Sequence, residues 1–395
     1  MAKLLIYVFP MLIDMALGGV WVLCGLRRAE VLGASASDVT WLMVLWAGTY
    51  MVVTRLIGTI LTDRNALGLV LAGSLSVSVV AAGFILVPAV EHMRWLLMLQ
   101  AVATALFFVP FQVFMKQVAG GGKSGIVRPT ALYTASWSLG FAFGPFVAVW
   151  LWHLVGWRWS YGVNIVIGLV TFVGILLLRR VGDAPPAETA ERPAAADRYA
   201  GMPDFAWLAW VGCGAAFVAI SAIRSLLPMA TDGGMTPVGG VTRTDVGMIL
   251  ATMALAHSIA AVTLLRSRFW MYRPAAIVGF ALFGLAGLVL FATAGHLASY
   301  YVAAVCYGIY SATFSFYFVF HALVHPSKSP VYISTNEAVV GLASIIGPLG
   351  GGWIADATGV LAAPFWCAAG LLTLAVAVQA IVHARHAGAL PQAAR

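Results

Sequence analysis

Three charged residues stand inside long apolar runs: Asp14, Arg224 and Glu337, with His257 as a fourth titratable group. A charge in hydrocarbon costs about 2.5–3.5 kcal/mol on insertion scales, so it is kept where it borders a cavity or a partner. A carboxylate there can carry a proton. A guanidinium can hold a carboxylate or phosphate through two parallel hydrogen bonds. An imidazole titrates near neutral pH and can relay a proton or bond a cargo. Asp14 shares one helical face with Tyr7, Met11, Gly18, Trp21, Gly25 and Arg28. That mixed stripe reads as a cavity wall, although a single buried hydrogen bond to a neighbouring helix would use Asp14 equally well. Arg28, in GLRRAEVL, and Arg224, in AIRSLLPM, occupy similar settings. They read as cargo anchors, Arg224 foremost and Arg28 behind it, with snorkelling to the interface as the alternative. His257, in MALAHSIAA, reads as a cargo ligand or as a satisfied histidine between helices. Glu337 shares a face with Gly341, Ser344 and Pro348 and reads with Asp14 as a proton-coupling group; a carboxylate favoured by a helix N-terminus is the alternative. Trp21, Tyr50 and Trp137 are the aromatic candidates for contact with cargo, with Trp46, Phe108 and Trp210 beside them; most aromatics of such a chain face lipid or core.

The elements that must position these residues follow from composition. Of 395 residues 62% are hydrophobic and 9% charged, and the mean hydropathy is +0.95. A soluble domain carries about 25% charged residues, so a cytosolic enzyme or a nucleic-acid binder is excluded and the solvent is lipid. Twelve apolar segments are expected near 4–26, 38–62, 67–90, 94–117, 130–153, 157–180, 205–230, 242–265, 274–294, 297–321, 331–355 and 360–384. Their length and lack of alternation predict helices rather than a barrel. The first segment reads as a retained helix, not a cleaved leader. Four acids, two arginines and four prolines make 181–203 a cytoplasmic linker between two six-helix bundles, 1–180 and 204–384, with 385–395 as a cytoplasmic tail. With the N-terminus inside, sixteen of the 22 Lys and Arg fall on the cytoplasmic side and six on the other, which places both termini in the cytoplasm. The net charge of +8 is therefore a topology signal.

The two halves repeat. Gly144–Pro145 and Gly347–Pro348 stand 203 residues apart, and Trp150 and Trp353 keep that offset. Glycine permits close helix contact and proline bends a helix, so these pairs suit bundles that rock. Cys24, Cys213, Cys306 and Cys367 lie in apolar runs without CxxC spacing and read as small packing residues. GGGK at 120–123 lacks the spacing of a phosphate-binding loop, and no metalloprotease or nucleophile-elbow motif occurs.

On these residues the chain resembles the major facilitator superfamily, secondary transporters with twelve transmembrane helices in two pseudo-symmetric bundles around a central cavity. Asp63 and Arg64, with Gly58 one residue early and the trailing basic cluster missing, resemble the family's signature between helices two and three. Leu265 to Pro274 resembles its second copy, with arginines but no aspartate. Gly140, Gly144 and Pro145 resemble the helix-five motif of proton antiporters, and its fuller form stands in helix eleven as Gly347, Pro348, Gly350, Gly351 and Gly352. The helix-four arginine of those antiporters is absent; the matching stretch is Leu97-Met-Leu-Gln100-Ala101. The resemblance implies gating roles for Asp63, Arg64, Gly140, Gly144, Pro145, Gly347, Pro348 and Gly351.

The combined expectation is a proton-coupled or exchange-type secondary transporter of a small organic solute, anionic or amphipathic by preference. The alternatives are a cation or drug exporter with Asp14 as cargo site, and a non-transporting membrane sensor. Its partners are then the solute, protons and the lipid bilayer, with no nucleic acid. No enzymatic activity, cofactor or metal is expected. It would work as a monomer in a bacterial inner membrane.

Overall fold

A computed structural model describes residues 2–32, 36–87, 89–119, 127–182, 202–227, 241, 243–264, 270–325 and 328–386. Among the described residues, a helical turn at Ala2–Leu5 is followed by twelve long helices. The first six are α1 (Val8–Leu32), α2 (Ala36–Ile60), α3 (Ala66–Leu86), α4 (Met93–Ala119), α5 (Val127–Val155) and α6 (Trp157–Gly182). The second six are α7 (Ala206–Leu226), α8 (Arg243–Thr263), α9 (Pro274–Thr293), α10 (Leu297–Val324), α11 (Ser329–Thr358) and α12 (Ala362–His386). Eleven contain a stretch long and apolar enough to cross a membrane, and α1 contributes the shorter apolar stretch Val8–Cys24. There is no strand among the described residues. Each segment expected from hydropathy is a helix. The 120–123 loop, most of the 181–203 linker and the tail beyond 386 lie outside the described residues.

By its contacts the chain divides into two compact units: Met1–Arg198 with Ala322–Gly341, and Tyr199–His321 with Leu342–Arg395. In the first unit α1 packs on α5 and α6, α3 on α4 and α6, and α2 on α4. In the second unit the same pairing recurs six helices later. α12 packs on α7 and α9. A Cβ on Gly287 of α9 would meet Tyr307 of α10, and one on Gly308 of α10 would run into the carbonyl of Met253 in α8.

The repeat is carried down to single atoms. A Cβ on Gly144 of α5 would run into the carbonyl oxygen of Met15 in α1; a Cβ on Gly347 of α11 would run into that of Val218 in α7. Both members of each contact are related by the same 203-residue step. The next small pair keeps the step with its members exchanged: Gly19 on Ala148 in one unit, Ala222 on Gly351 in the other. Inside lipid, helices associate through close packing rather than a hydrophobic drive, so backbone-to-backbone approach at small residues is what fixes these pairs. Trp150 and Trp353 point outward; Trp353 is 73% exposed, as are Phe146, Leu177 and Leu374 in large part. A water-soluble fold would bury such a belt, whereas hydrocarbon accepts it.

Candidate functional site

In the first unit a carboxylate arrives from α11. Glu337 sits two turns into that helix rather than in its first turn, which removes the helix-terminus reading of its charge. It is 8% exposed. The Tyr50 hydroxyl of α2 donates to its Oε2 at 2.6 Å, and the Gln112 amide of α4 donates to its Oε1 at 2.6 Å. Both partners are uncharged, so nothing in the hydrogen-bond shell balances the acid's charge. Tyr133 of α5, also buried, feels both Glu337 and Asp14, and Tyr50 does too. Asp14 is itself buried on α1. The two carboxylates expected to handle protons therefore belong to one cluster, assembled from four helices of the first half and the start of α11.

An aromatic tile extends from that cluster. Trp46 stacks on Tyr50 with centroids 4.9 Å apart and planes 12° from parallel. Trp21 meets Trp46 edge-on at 4.8 Å and Phe141 edge-on at 5.7 Å. The spacing Trp46–Tyr50 is one helical turn, which is why the two rings lie on one side of α2. Part of the α1 stripe read as cavity wall is covered instead: Gly18 lies against the Pro145 ring, where a Cβ would be 3.1 Å from Cδ.

Around the tile the same unit holds an arginine that composition alone could not place. Arg27 is buried, its guanidinium 3.7 Å from the centroid of the Trp157 ring, with Tyr161 beside it. Snorkelling is not its state. Desolvated cation–π contacts are worth about 2 kcal/mol, so Arg27→Met, which keeps the stem, is expected to lower the melting temperature of the detergent-purified protein measurably, while Arg94→Met changes it little. Arg28 lies in α1, but its side chain is outside the described residues.

In the second unit Arg224 and His257 come together. His257 is buried with Nδ1 3.0 Å from the Ser311 hydroxyl of α10. Half-buried Arg224 is near enough to act electrostatically on both His257 and Tyr307. Tyr307 donates its hydroxyl to the Ala216 carbonyl at 2.7 Å, tying α10 to α7. Trp137 is half-buried on α5 and Trp210 on α7. Phe108 is buried edge-on to Phe107. Among the described residues no group of three or more His, Cys, Asp or Glu could hold a metal ion.

Sequence reasoning did not single out Gln112, Tyr133 or Ser311. Gln112 and Gln100 were each legible as polar residues in an apolar run, but a glutamine carries no charge to draw attention. Gln100 is buried, with neither amide atom hydrogen-bonded among the described residues.

The profile of the Major Facilitator Superfamily matches residues 4–327. The chain belongs to this superfamily. Solved structures agree in fold. The E. coli fucose:proton symporter FucP is 15% identical, covers 95% of this chain and 99% of its own, and has a TM-score of 0.63. The same symporter in an outward conformation gives a TM-score of 0.60 at 14% identity, over 96% of this chain and 99% of its own. The human organic anion transporter MFSD10 gives 0.72 at 13% identity, with 96% and 99% covered. A search of curated proteins finds no significant match.

Within this superfamily's fold the signature residues take clear places. Asp63 and Arg64 are exposed in the turn after α2. The Asp63 carbonyl accepts from Gln117 at 2.6 Å, and Lys116 of α4 lies close enough to feel the aspartate. Asn65 closes the turn by donating to the Ile60 carbonyl at 2.7 Å and accepting from the Thr62 amide at 2.7 Å. Gly58, one residue early in sequence, still serves close approach: a Cβ there would strike the Ser334 side chain of α11. One turn earlier Arg55 donates to the Thr335 hydroxyl at 2.8 Å, and Lys116 donates to Ser329 at 2.9 Å. Gly140, Gly144 and Gly347 are backbone contacts, Gly351 meets Leu226, and Pro145 and Pro348 lie inside their helices.

Proposed function

We propose that the protein is a secondary active transporter that moves a small organic solute by alternating access, coupled to protons. The observation that carries this reading is the buried Glu337, held among the described residues by the uncharged Tyr50 and Gln112 and grouped with Asp14. An uncompensated carboxylate among spanning helices is costly to keep unless it exchanges something across them. Asp14 and Glu337 are the proton-coupling groups. Arg224, with His257 beside it and Arg28 as its counterpart, anchors an anionic or amphipathic cargo; Trp21, Tyr50 and Trp137 contact it. Rocking of 1–180 against 204–384 would expose the site to each side in turn, with Asp63, Arg64 and the Gly-Pro pairs of α5 and α11 gating. The neighbours named as a fucose:proton symporter and an organic anion transporter are compatible with proton coupling and with an anionic cargo respectively. The protein would sit as a monomer in a bacterial inner membrane with both termini in the cytoplasm, and would release its solute chemically unchanged.

The test is a flux screen in proteoliposomes under an imposed pH gradient, with internal pH as readout. Solutes that move protons name the cargo class; if none alters internal pH, coupling is abandoned and an exchanger or uniporter remains. A second reading, a cation exporter with Asp14 as the cargo site, is favoured by the aromatic tile beside the carboxylates. Arg224→Ala separates the two: uptake of an organic anion is expected to fall at least tenfold, whereas a cation exporter keeps its flux.

A further inference from the structure

The tile holds hydrogen-bonding groups that the protein does not use. Trp46 is 5% exposed and its indole N–H has no hydrogen-bond partner among the described residues; the Trp21 indole N–H, also covered, has none among them either. Gln112 is fully buried and turns its amide N–H to Glu337, with Tyr133 also in hydrogen-bond contact with its side chain, while its Oε1 accepts from none of the described residues. The three belong to one connected set, Trp21 to Trp46 at 4.8 Å, Trp46 to Tyr50 at 4.9 Å, Tyr50 and Gln112 each 2.6 Å from Glu337. Buried polar groups left unpaired are rare in folded proteins and call for an explanation.

Their types discriminate between ligands. An alkylammonium group would be drawn to the ring faces and the carboxylates, but it only donates and so leaves both indole N–H groups without an acceptor. Two carboxylates in the same cluster repel an anion. A hydroxyl group answers both kinds of orphan, accepting from an indole and donating to the Gln112 oxygen. The half-buried Trp21 and Phe141 rings, their planes 80° apart, form an apolar corner, and a saturated ring can lie against one of its faces.

We propose that the Trp21–Trp46–Gln112 face of the first unit is a subsite for an uncharged, hydroxyl-bearing ring, so that the cargo is a polyol-like solute or carries such a part. This rests on the transport reading for the solute's being cargo; it assigns to this face the uncharged, hydroxylated part of that cargo and leaves any anionic part to Arg224. The charged groups of the subsite are Asp14 and Glu337, and neither is its ligand-selecting element; the indoles and the amide are.

The experiment is equilibrium binding to the purified full-length protein, with a panel of neutral hexoses and cyclitols, a hexuronate, hexanoate and tetraethylammonium. Binding is expected for at least one hexose or cyclitol and not for hexanoate or tetraethylammonium. Trp46→Phe, which keeps an aromatic side chain and removes the N–H, is expected to weaken that binding at least tenfold while the protein still folds, with a cooperative thermal transition. Trp150→Phe, on the exposed face of α5, leaves it unchanged. Binding that survives Trp46→Phe, or a panel in which no hydroxylated compound binds, overturns the proposal. Flux separates the two readings: a hydroxylated ligand that binds through Trp46 but is never moved sinks transport and leaves the subsite, while proton-linked flux of a carboxylate without hydroxyls, unaffected by Trp46→Phe, sinks the subsite and leaves transport.

Discussion

Glu337→Gln is expected to abolish proton-driven accumulation, by at least a hundredfold, while the protein still folds and still exchanges solute. The amide cannot take up or release a proton, but it can keep the local hydrogen bonds. Tyr50 can donate to its carbonyl. Its N–H can reach the Gln112 oxygen, which has no partner in the native cluster, after a simple flip of the Gln112 amide. Glu337→Leu differs: it strands the Tyr50 hydroxyl and the Gln112 N–H together, at about 1–3 kcal/mol each, and is expected to lower the yield of folded protein as well as activity. The measurements are solute accumulation and internal pH in the same proteoliposomes, and the melting temperature of each variant. Glu337→Gln with intact uphill accumulation would remove Glu337 from the coupling mechanism.

The second large effect is expected at the duplicated helix contact. Gly144→Ala and Gly347→Ala each place one methyl group against a backbone carbonyl that belongs to another helix and cannot move aside as a side chain can. Overpacking of that kind costs about 1–3 kcal/mol, at the upper end where the obstacle is backbone. The same change at Gly350 or Gly352, a turn or so along α11, meets nothing within 4 Å. There it removes glycine's conformational freedom from a helix and is expected to be neutral or to stabilise by up to about 1 kcal/mol. Thermal unfolding in detergent decides the matter: of four glycine-to-alanine changes, one in α5 and three in α11, those at Gly144 and Gly347 destabilise strongly and those at Gly350 and Gly352 do not. Equal effects at all four would mean that the repeat reflects composition rather than packing.

Gly350 and Gly352 also show how a motif misleads when read by letters. In the sequence the run Gly350-Gly351-Gly352 looks like the fuller version of the α5 motif. In the fold only Gly351 meets a neighbour, and its partner Ala222 stands where Gly19 stands in the first half. The small residue that α5 lacks at Ala148 is supplied by α1 instead. Gly58 is the converse case. Its place in the signature is off by one, yet it lies where α2 and α11 touch. A helix contact constrains which surface point must be small, and either helix can meet that demand.

Hydropathy and repetition were enough to read twelve spanning helices, the duplication at a step of 203 and the buried charges, because each depends on a residue's own chemistry or on spacing along one helix. What holds Glu337 was beyond such reading: Tyr50 lies 287 residues away in the chain and Gln112 lies 225 away. Arg27 shows the same limit, since a helix-end arginine can reach water or stack on a ring, and only the placement of Trp157 chose between them. Lipid selects segments one at a time by their transfer free energy, and that information is local. The pairing of polar groups depends on which helices meet, and that is settled only when the bundle packs.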